Sequence, residues 1–362
     1  MPIIWCSISA HGFGHAAQII PILNELGKIV ENVHVVLRTC APAYLFEEAL
    51  HVPWELQAVP QDIGCHQRGP LDIDIDGTWS AYKEFHVNWA HRVSLEAQAM
   101  NEVQPNLVIS NISYLAIASA FEGNCPVVAI ASLSWDQVLT GAMPLLRADQ
   151  RVIVEHIQKE YGKANHLIRL HPGIDMPAFA SRADTGPSFP LAESSVQDVR
   201  KLLGMKREEK IVLIAFGGVP LAGLPLEQMK RCEGFHFLVT GSVLDASSTR
   251  IHRVEDLSLP FGEVLRQVDL IMTKPGYATI TTAVHYGIPL VYVRRHNFVD
   301  EQPLVNYAHK YGRAWELTRE QFESGEWENA LQSALVLPIP AERPPKPEPH
   351  VIAGLLKEFI RA

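Results

Sequence analysis

The sequence predicts an α/β protein made of two doubly wound domains that face a central cleft. Three observations carry this prediction. Short continuous apolar runs alternate with segments of helical periodicity. The alternation stops near residue 171, in a stretch rich in Pro, Gly and Ser, and then restarts. Glycine turns end strands in both halves. Continuous apolar runs mark parallel strands buried on both faces, and repeated strand–helix alternation builds a doubly wound sheet.

In the first half the runs are "IIWCSIS", "VHVVLRT", "NLVIS" and "VVAIAS". The segments between them, such as "HAAQIIPILNELGKIV" and "YLAIASAFEGN", place apolar residues at helical spacing. Residues 1–172 form the expected first domain. "HPGIDMPAFASRADTGPSFPLAESS" holds no sustained period, so 173–194 reads as a linker. A helix, "SVQDVRKLLG", then opens the second domain, 195–337, whose strands are "KIVLIAFGG", "FHFLVTGS", "VDLIMTKPG" and "PLVYVRR". In the segment 338–362, closely spaced prolines precede an amphipathic helix, "VIAGLLKEFIR". A Pro-rich spacer before such a helix suits a crossover that packs back on the first domain. A solvated tail fits the composition equally well.

The 362 residues suffice for two domains, and 47% hydrophobic with 20% charged residues is ordinary globular composition. Lys plus Arg number 31 against 40 Asp plus Glu, a formal charge of −9. That argues against nucleic acid as a partner, since nucleic-acid binders present a basic face. Cys6, Cys40, Cys65, Cys125 and Cys232 are scattered and never spaced C-x-x-C, which favours a reducing compartment without a zinc cluster. The start of the chain has no basic region and only a short apolar run. A cytoplasmic location without a transmembrane segment is therefore expected, and peripheral contact with a membrane is compatible with it.

"AHGFGHAAQ", residues 10–18, sits where the first strand turns into the first helix. Gly12, Gly14 and Ala17 form G-x-G-x-x-A, a dinucleotide fingerprint and equally a generic phosphate turn. Glycines let the backbone approach closely, and free N–H groups at a helix start favour an anion. The second strand ends at Arg38 rather than an acidic residue, so an NADP-dependent oxidoreductase is formally open. "FGG" (216–218) and "TKPGYATIT" (273–281) are further turns of this kind in the second half. Turns at strand ends in both domains point to one ligand held between them, whereas any single turn is also explained by strand-to-helix packing.

Taken in order, the "HGFGHA" turn, "SWD" (134–136), "MPAF" (176–179), "KPGYATIT" and "VRRHNFVDEQP" resemble the GT-B glycosyltransferases. The similarity is to the branch that contains the peptidoglycan lipid-intermediate N-acetylglucosaminyltransferases. It is closer still to the glycosyltransferase-like N-terminal region of the plant L-arabinokinases. No sugar-kinase glycine loop follows, so kinase activity is not carried over. The resemblance implies two Rossmann-like domains, a nucleotide-sugar donor bound mainly by the second, and an acceptor of unknown identity bound mainly by the first. It implies an inverting, metal-independent transfer, with UDP as the default nucleotide and no cofactor. Gly14, Gly217 and Gly218 would approach the diphosphate, and Gly276, Tyr277, Ala278 and Thr279 would form its helix-start cradle. Backbone groups of Leu257–Phe261 would read the base. Asp300, Glu301 and Gln302, in "DEQP", would meet the sugar hydroxyls, and His15 would face the reaction centre.

Two positions depart from that pattern. Thr282 stands where the family usually carries a ribose-binding Glu, and Val219 stands where the peptidoglycan enzyme has Ser. Thr cannot offer a bidentate carboxylate.

His15, at a helix N-terminus, is disfavoured as imidazolium and so is available as a base. A bound diphosphate would instead favour its protonated form. Asp136, just past a strand end, is a second candidate base or a helix cap. His11 and His15 are four apart, but on a glycine turn they share no helix face, so no metal site is expected. "DIDIDG" (72–77) mimics the start of a calcium loop, yet Lys83 occupies the position that requires a Glu. It reads as a polar loop at the acceptor side or as solvated surface. Arg294 and Arg295 can offset diphosphate charge or pair with Asp300 or Glu301. Two alternatives accompany the transferase reading: a nucleotide-sugar hydrolase of the same fold, and a catalytically weak sugar-nucleotide binding protein.

Overall fold

A computed structural model describes residues 1–143, 145–191, 197–218, 223–241, 248–295 and 297–360. Val219 and part of the segment expected as a linker therefore lie outside the described residues. The first domain holds strands β1 (Ile3–Ile8), β2 (His34–Arg38) and β3 (Trp54–Gln57). A small antiparallel hairpin follows, β4 (Gln67–Gly69) and β5 (Asp72–Ile73). Then come β6 (Leu107–Asn111), β7 (Val127–Ala131), β8 (His166–Leu170) and β9 (Arg182–Thr185). The second domain holds β10 (Lys210–Ile214), β11 (Phe235–Val239), β12 (Ile251–Arg253), β13 (Leu270–Thr273), β14 (Leu290–Val293) and β15 (Ala314–Leu317).

Both large sheets are parallel. The first has the order β3-β2-β1-β6-β7-β8-β9 and the second β12-β11-β10-β13-β14-β15. In each, the order reverses beside the domain's first strand, so the crevices open between β1 and β6 and between β10 and β13. Open α/β sheets bind ligands at such switch points, outside the strand C-termini. The central strands are fully buried, as their continuous apolar runs require.

Part of the segment expected as a linker is strand. β9 pairs with β8 at the sheet edge, where Arg182 and Asp184 face outward and Arg169 forks onto the Asp184 carboxylate. An edge strand this polar carries no apolar run for the sequence to reveal.

Two features tie the domains together. The helix Pro349–Lys357 buries Ile352, Ala353 and Leu356 completely, against a core shared with the first helix, Gly14–Ile29. The β4–β5 hairpin leaves the first domain and seats Leu71 in the core of the second, among Val293, Leu317 and Phe322. Asp72, beside it, accepts a two-pronged contact from Arg319. The acidic run at 72–77 is thus neither a calcium loop nor free surface. Asp72 grips the second domain, and Asp74 caps the helix Ile75–Val87 by accepting from Gly77 N–H. No helix among the described residues is long and apolar enough to cross a membrane.

Candidate functional site

The two switch points face each other, and their glycine turns touch. Gly12, at φ +79°, sits so near the second turn that a Cβ there would lie 3.4 Å from the Gly217 carbonyl oxygen. Gly217 and Gly218 have φ of +71° and +80°, and a Cβ on Gly218 would collide with the Phe13 ring. Only glycine adopts these angles without strain and permits this approach. His11 spans the same gap and stacks on Phe298 at 6.2 Å between ring centroids.

On the first domain's side, His15 is buried and its Nδ1 lies 2.7 Å from Asn111 Oδ1, at the end of β6. The Asn111 amide is oriented by its other bonds: Nδ2 donates to Ile130 O at 2.7 Å and to Gln18 Oε1 at 3.0 Å. Its oxygen must therefore accept, so His15 carries its proton on Nδ1 and leaves the Nε2 lone pair free. Burial lowers His15 to about 4, and the Asn111 bond opposes the shift. At neutral pH His15 is an uncharged imidazole in one assigned tautomer. His11 is likewise held well below the ordinary histidine range, by burial and then by the charges of His15, Lys274 and Arg295. Its Nδ1 accepts from Cys65 N–H, so that lone pair is occupied.

Trp135 packs against both histidines and donates its Nε1 proton to Asp62 Oδ2 at 2.8 Å. Asp62 also accepts from the Ser9 hydroxyl, and burial raises it to about 6. Asp136 is not brought to this group. It is fully buried, and its carboxylate accepts from Ser134 Oγ, Gln137 Nε2 and Gln158 Nε2 within the first domain.

On the second domain's side, Gly276 precedes the helix Tyr277–Tyr286. A Cβ at Gly276 would meet only Lys274 O, at 3.9 Å, so this helix start has open space in front of it. Ala278 and Thr279 are half-buried on its first turn. The Tyr277 side chain is used elsewhere: its hydroxyl donates to His171 O at 2.9 Å and accepts from Ser188 N–H. Thr282 is buried, and its hydroxyl has no hydrogen bond among the described residues. Phe261 is 42% exposed at the start of its helix, Phe261–Leu265.

The "DEQP" residues separate into three situations. Glu301 accepts from Arg295 Nε at 2.7 Å and from Arg295 N–H, so it is a strut of the loop. Gln302 is exposed and accepts from Arg294. Asp300 alone keeps a buried Oδ1 without a hydrogen-bond partner, and burial raises it above the usual carboxylate range. Arg295 also donates to Pro275 O and lies over the Phe298 ring at 3.8 Å.

Arg38 is fully engaged. Its Nε donates to Glu96 at 3.1 Å, its guanidinium lies over Trp5, and a further arm reaches Gln57. No arm is left for a 2′-phosphate, which removes the basis of the NADP reading. Sequence reasoning missed Asn111, Gln18, Asp62 and Lys274 as members of the site. Gln18 and Lys274 lie within the glycine-turn stretches 10–18 and 273–281, whereas Asn111 and Asp62 lie in no motif.

No family profile matches the chain. L-arabinokinase of Arabidopsis thaliana is 28% identical over 334 residues, 91% of this chain and 32% of that protein, so the chain spans about a third of this curated relative. Among solved structures, UGT2 of Phytolacca americana, complexed with UDP-2-fluoro-glucose and pterostilbene, aligns with a TM-score of 0.61 at 15% identity. The alignment covers 99% of this chain and 94% of that one. The glycotransferase of kitacinnamycin gives 0.62 at 16%, over 99% and 100%. The calicheamicin glycosyltransferase CalG4 gives 0.58 at 15%, over 99% and 94%. These likenesses show the fold: the chain has the GT-B architecture, two Rossmann-like α/β domains facing one cleft.

Proposed function

We propose that this protein is a glycosyltransferase that moves a sugar from a nucleoside-diphosphate sugar, by default a UDP-sugar, to an acceptor hydroxyl with inversion and without a metal. One observation carries the reading. A neutral His15, with no hydrogen bond to Nε2 among the described residues, stands beside one switch-point turn, and the turn it touches belongs to the domain that holds an open helix start at Gly276 and, in Asp300, a buried carboxylate oxygen without a hydrogen-bond partner. In the proposed step the acceptor hydroxyl gives its proton to His15 Nε2 while its oxygen bonds to the anomeric carbon. The bond from that carbon to the phosphate oxygen breaks on the opposite face, and the nucleoside diphosphate leaves with the electron pair. Helix-start N–H groups at 277–279 and nearby cations offset the charge that develops on the leaving oxygen. Asp300 Oδ1 accepts from a hydroxyl of the transferred sugar. Similarity to UGT2 of Phytolacca americana, whose structure holds UDP-2-fluoro-glucose, supports the ligand class.

The test is a thermal-shift screen of UDP, TDP, GDP and their sugars, followed by an assay of nucleotide release. A ligand at a hundredfold excess over its Kd adds about 2.7 kcal/mol of stability. Absence of any shift would sink the reading. Equal nucleotide release with and without sugar, flavonoid and lipid acceptors would favour hydrolysis over transfer.

A further inference from the structure

We infer that Ser188 is a positioning residue of this reaction: it joins the helix that carries the base to the helix that receives the donor, and so holds His15 Nε2 in register with the sugar. This rests on the functional reading above and assigns to it a residue that is itself fully buried.

The two helices that open on the cleft, Gly14–Ile29 and Tyr277–Tyr286, come from different domains and pack against each other. Ser188 lies in the segment that follows β9 and bonds to both. Its hydroxyl donates to Gln18 O at 2.7 Å, and its N–H donates to Tyr277 Oη at 3.3 Å. The Tyr277 hydroxyl donates onward to His171 O, just beyond β8. Neighbouring residues hold the segment in place. Phe189 is buried edge-on against His285 of the second helix, at 5.4 Å between ring centroids. Gly186 N–H donates to Glu348 Oε2 at 2.7 Å, and Pro187 O accepts from Glu348 N–H at 2.9 Å. Ser188 is therefore fixed from both sides and passes that restraint to the helices.

The bond to the first helix falls at the turn that matters for the base. Gln18 stands three residues after His15, so the two share a helix face. Asn111 clamps that face, with Oδ1 on His15 Nδ1 and Nδ2 on Gln18 Oε1. Gln18 Nε2 donates to Ser132 Oγ at 3.0 Å. The His15 tautomer is thus set inside the first domain, whereas its distance from the second domain is set in part at Ser188. On the second helix the bond is to Tyr277, which follows Gly276, where the donor is proposed to dock. A misplacement of about 1 Å at the reacting atoms can cost about a hundredfold in rate. Without Ser188 Oγ or Tyr277 Oη the two helix starts lose a shared anchor and shift by part of that.

The experiment uses the full chain. Turnover is read as nucleotide release from the nucleotide sugar that gives the largest thermal shift, and affinity by calorimetry with UDP, TDP or GDP to match. Ser188→Ala should lower kcat about tenfold, while nucleotide affinity stays within about twofold. Tyr277→Phe removes the other bond and should act in the same sense. It also keeps the test alive if the Ala variant fails to fold. On a His15→Ala background neither change should slow turnover further, because the effect passes through the base; a merely structural residue would slow it again. Unchanged kcat in both variants, equal losses of kcat and nucleotide affinity, or further slowing on the His15→Ala background would each overturn the inference. Failure of wild-type protein to bind UDP, TDP or GDP would overturn the functional reading instead, and is seen without any variant.

Discussion

Asn111→Ala separates a tautomer-setting role from mere support. In the structure Asn111 is the only oxygen acceptor described for His15 Nδ1, at 2.7 Å. Removing it leaves a buried donor unsatisfied, which costs about 1–3 kcal/mol. His15 can escape that cost by moving its proton to Nε2, where the base lone pair should be. At about 1.4 kcal/mol per tenfold, the productive tautomer falls roughly ten- to hundredfold. kcat should fall by the same factor, with donor KM within about twofold. His15→Ala should cost about a hundredfold or more. The double variant should be no slower than His15→Ala alone, because the two residues act as one unit. Ile130 O and Gln18 Oε1 also lose a donor, so Tm falls and the assays belong well below it. Nitrogen-15 shifts of the His15 ring give a direct check: Nδ1 protonated in wild type, Nε2 protonated in the variant. A wild-type ring protonated at Nε2, or further slowing on the His15→Ala background, would refute the argument.

Three other outcomes are expected. Because burial lowers His15 to about 4, the acid limb of kcat/KM should lie near that value rather than at the 6.5 of a free imidazole. The same shift removes stability as pH falls from 6.5 towards 4, since there the unfolded chain binds a proton that the folded chain excludes. Asp62, raised to about 6, acts in the opposite sense between 6 and 3.8, so His15→Ala should flatten the acid side of a Tm-against-pH curve. Gly276→Val should weaken UDP at least tenfold with little change in Tm, because φ −118° and ψ 139° are extended backbone that Val accepts; calorimetry showing equal affinity would move the diphosphate elsewhere. Leu71→Ala should destabilise by about 2–5 kcal/mol, the range for a buried leucine, whereas Asp72→Ala should cost at most about 1 kcal/mol because its ion pair with Arg319 is largely solvated. Urea unfolding measures both, and similar costs would mean that the hairpin is not seated as described.

The centre of each sheet was legible in the sequence because buried parallel strands must be continuously apolar. The edges were not. β3 buries none of its residues, β15 buries only Ala314 and Leu317, and β9 alternates charge, so their patterns resemble loops. The turns at Gly12 and at Gly217 and Gly218 were legible because their positive φ angles suit glycine. What surrounds them was harder to read. Asn111 meets His15 and Gln18 only through the fold, and Asp62 reaches the site from a segment with no periodicity at all. Motif matching could not see the neighbours of individual side chains: those of Tyr277 and Glu301 lie within these turns but spend their polar groups on the scaffold.

The helix Pro349–Lys357 completes the first domain although it is made after the second. Topologically, the second domain is an insertion within the first. During synthesis the helix Gly14–Ile29 emerges with part of its apolar surface, the part against the last helix, uncovered. It stays so until the whole second sheet has been translated and Ile352, Ala353 and Leu356 arrive to cover it. The two domains therefore mature in the reverse of their order along the chain, and the first half alone should behave as a client of chaperones rather than as a free-standing fold.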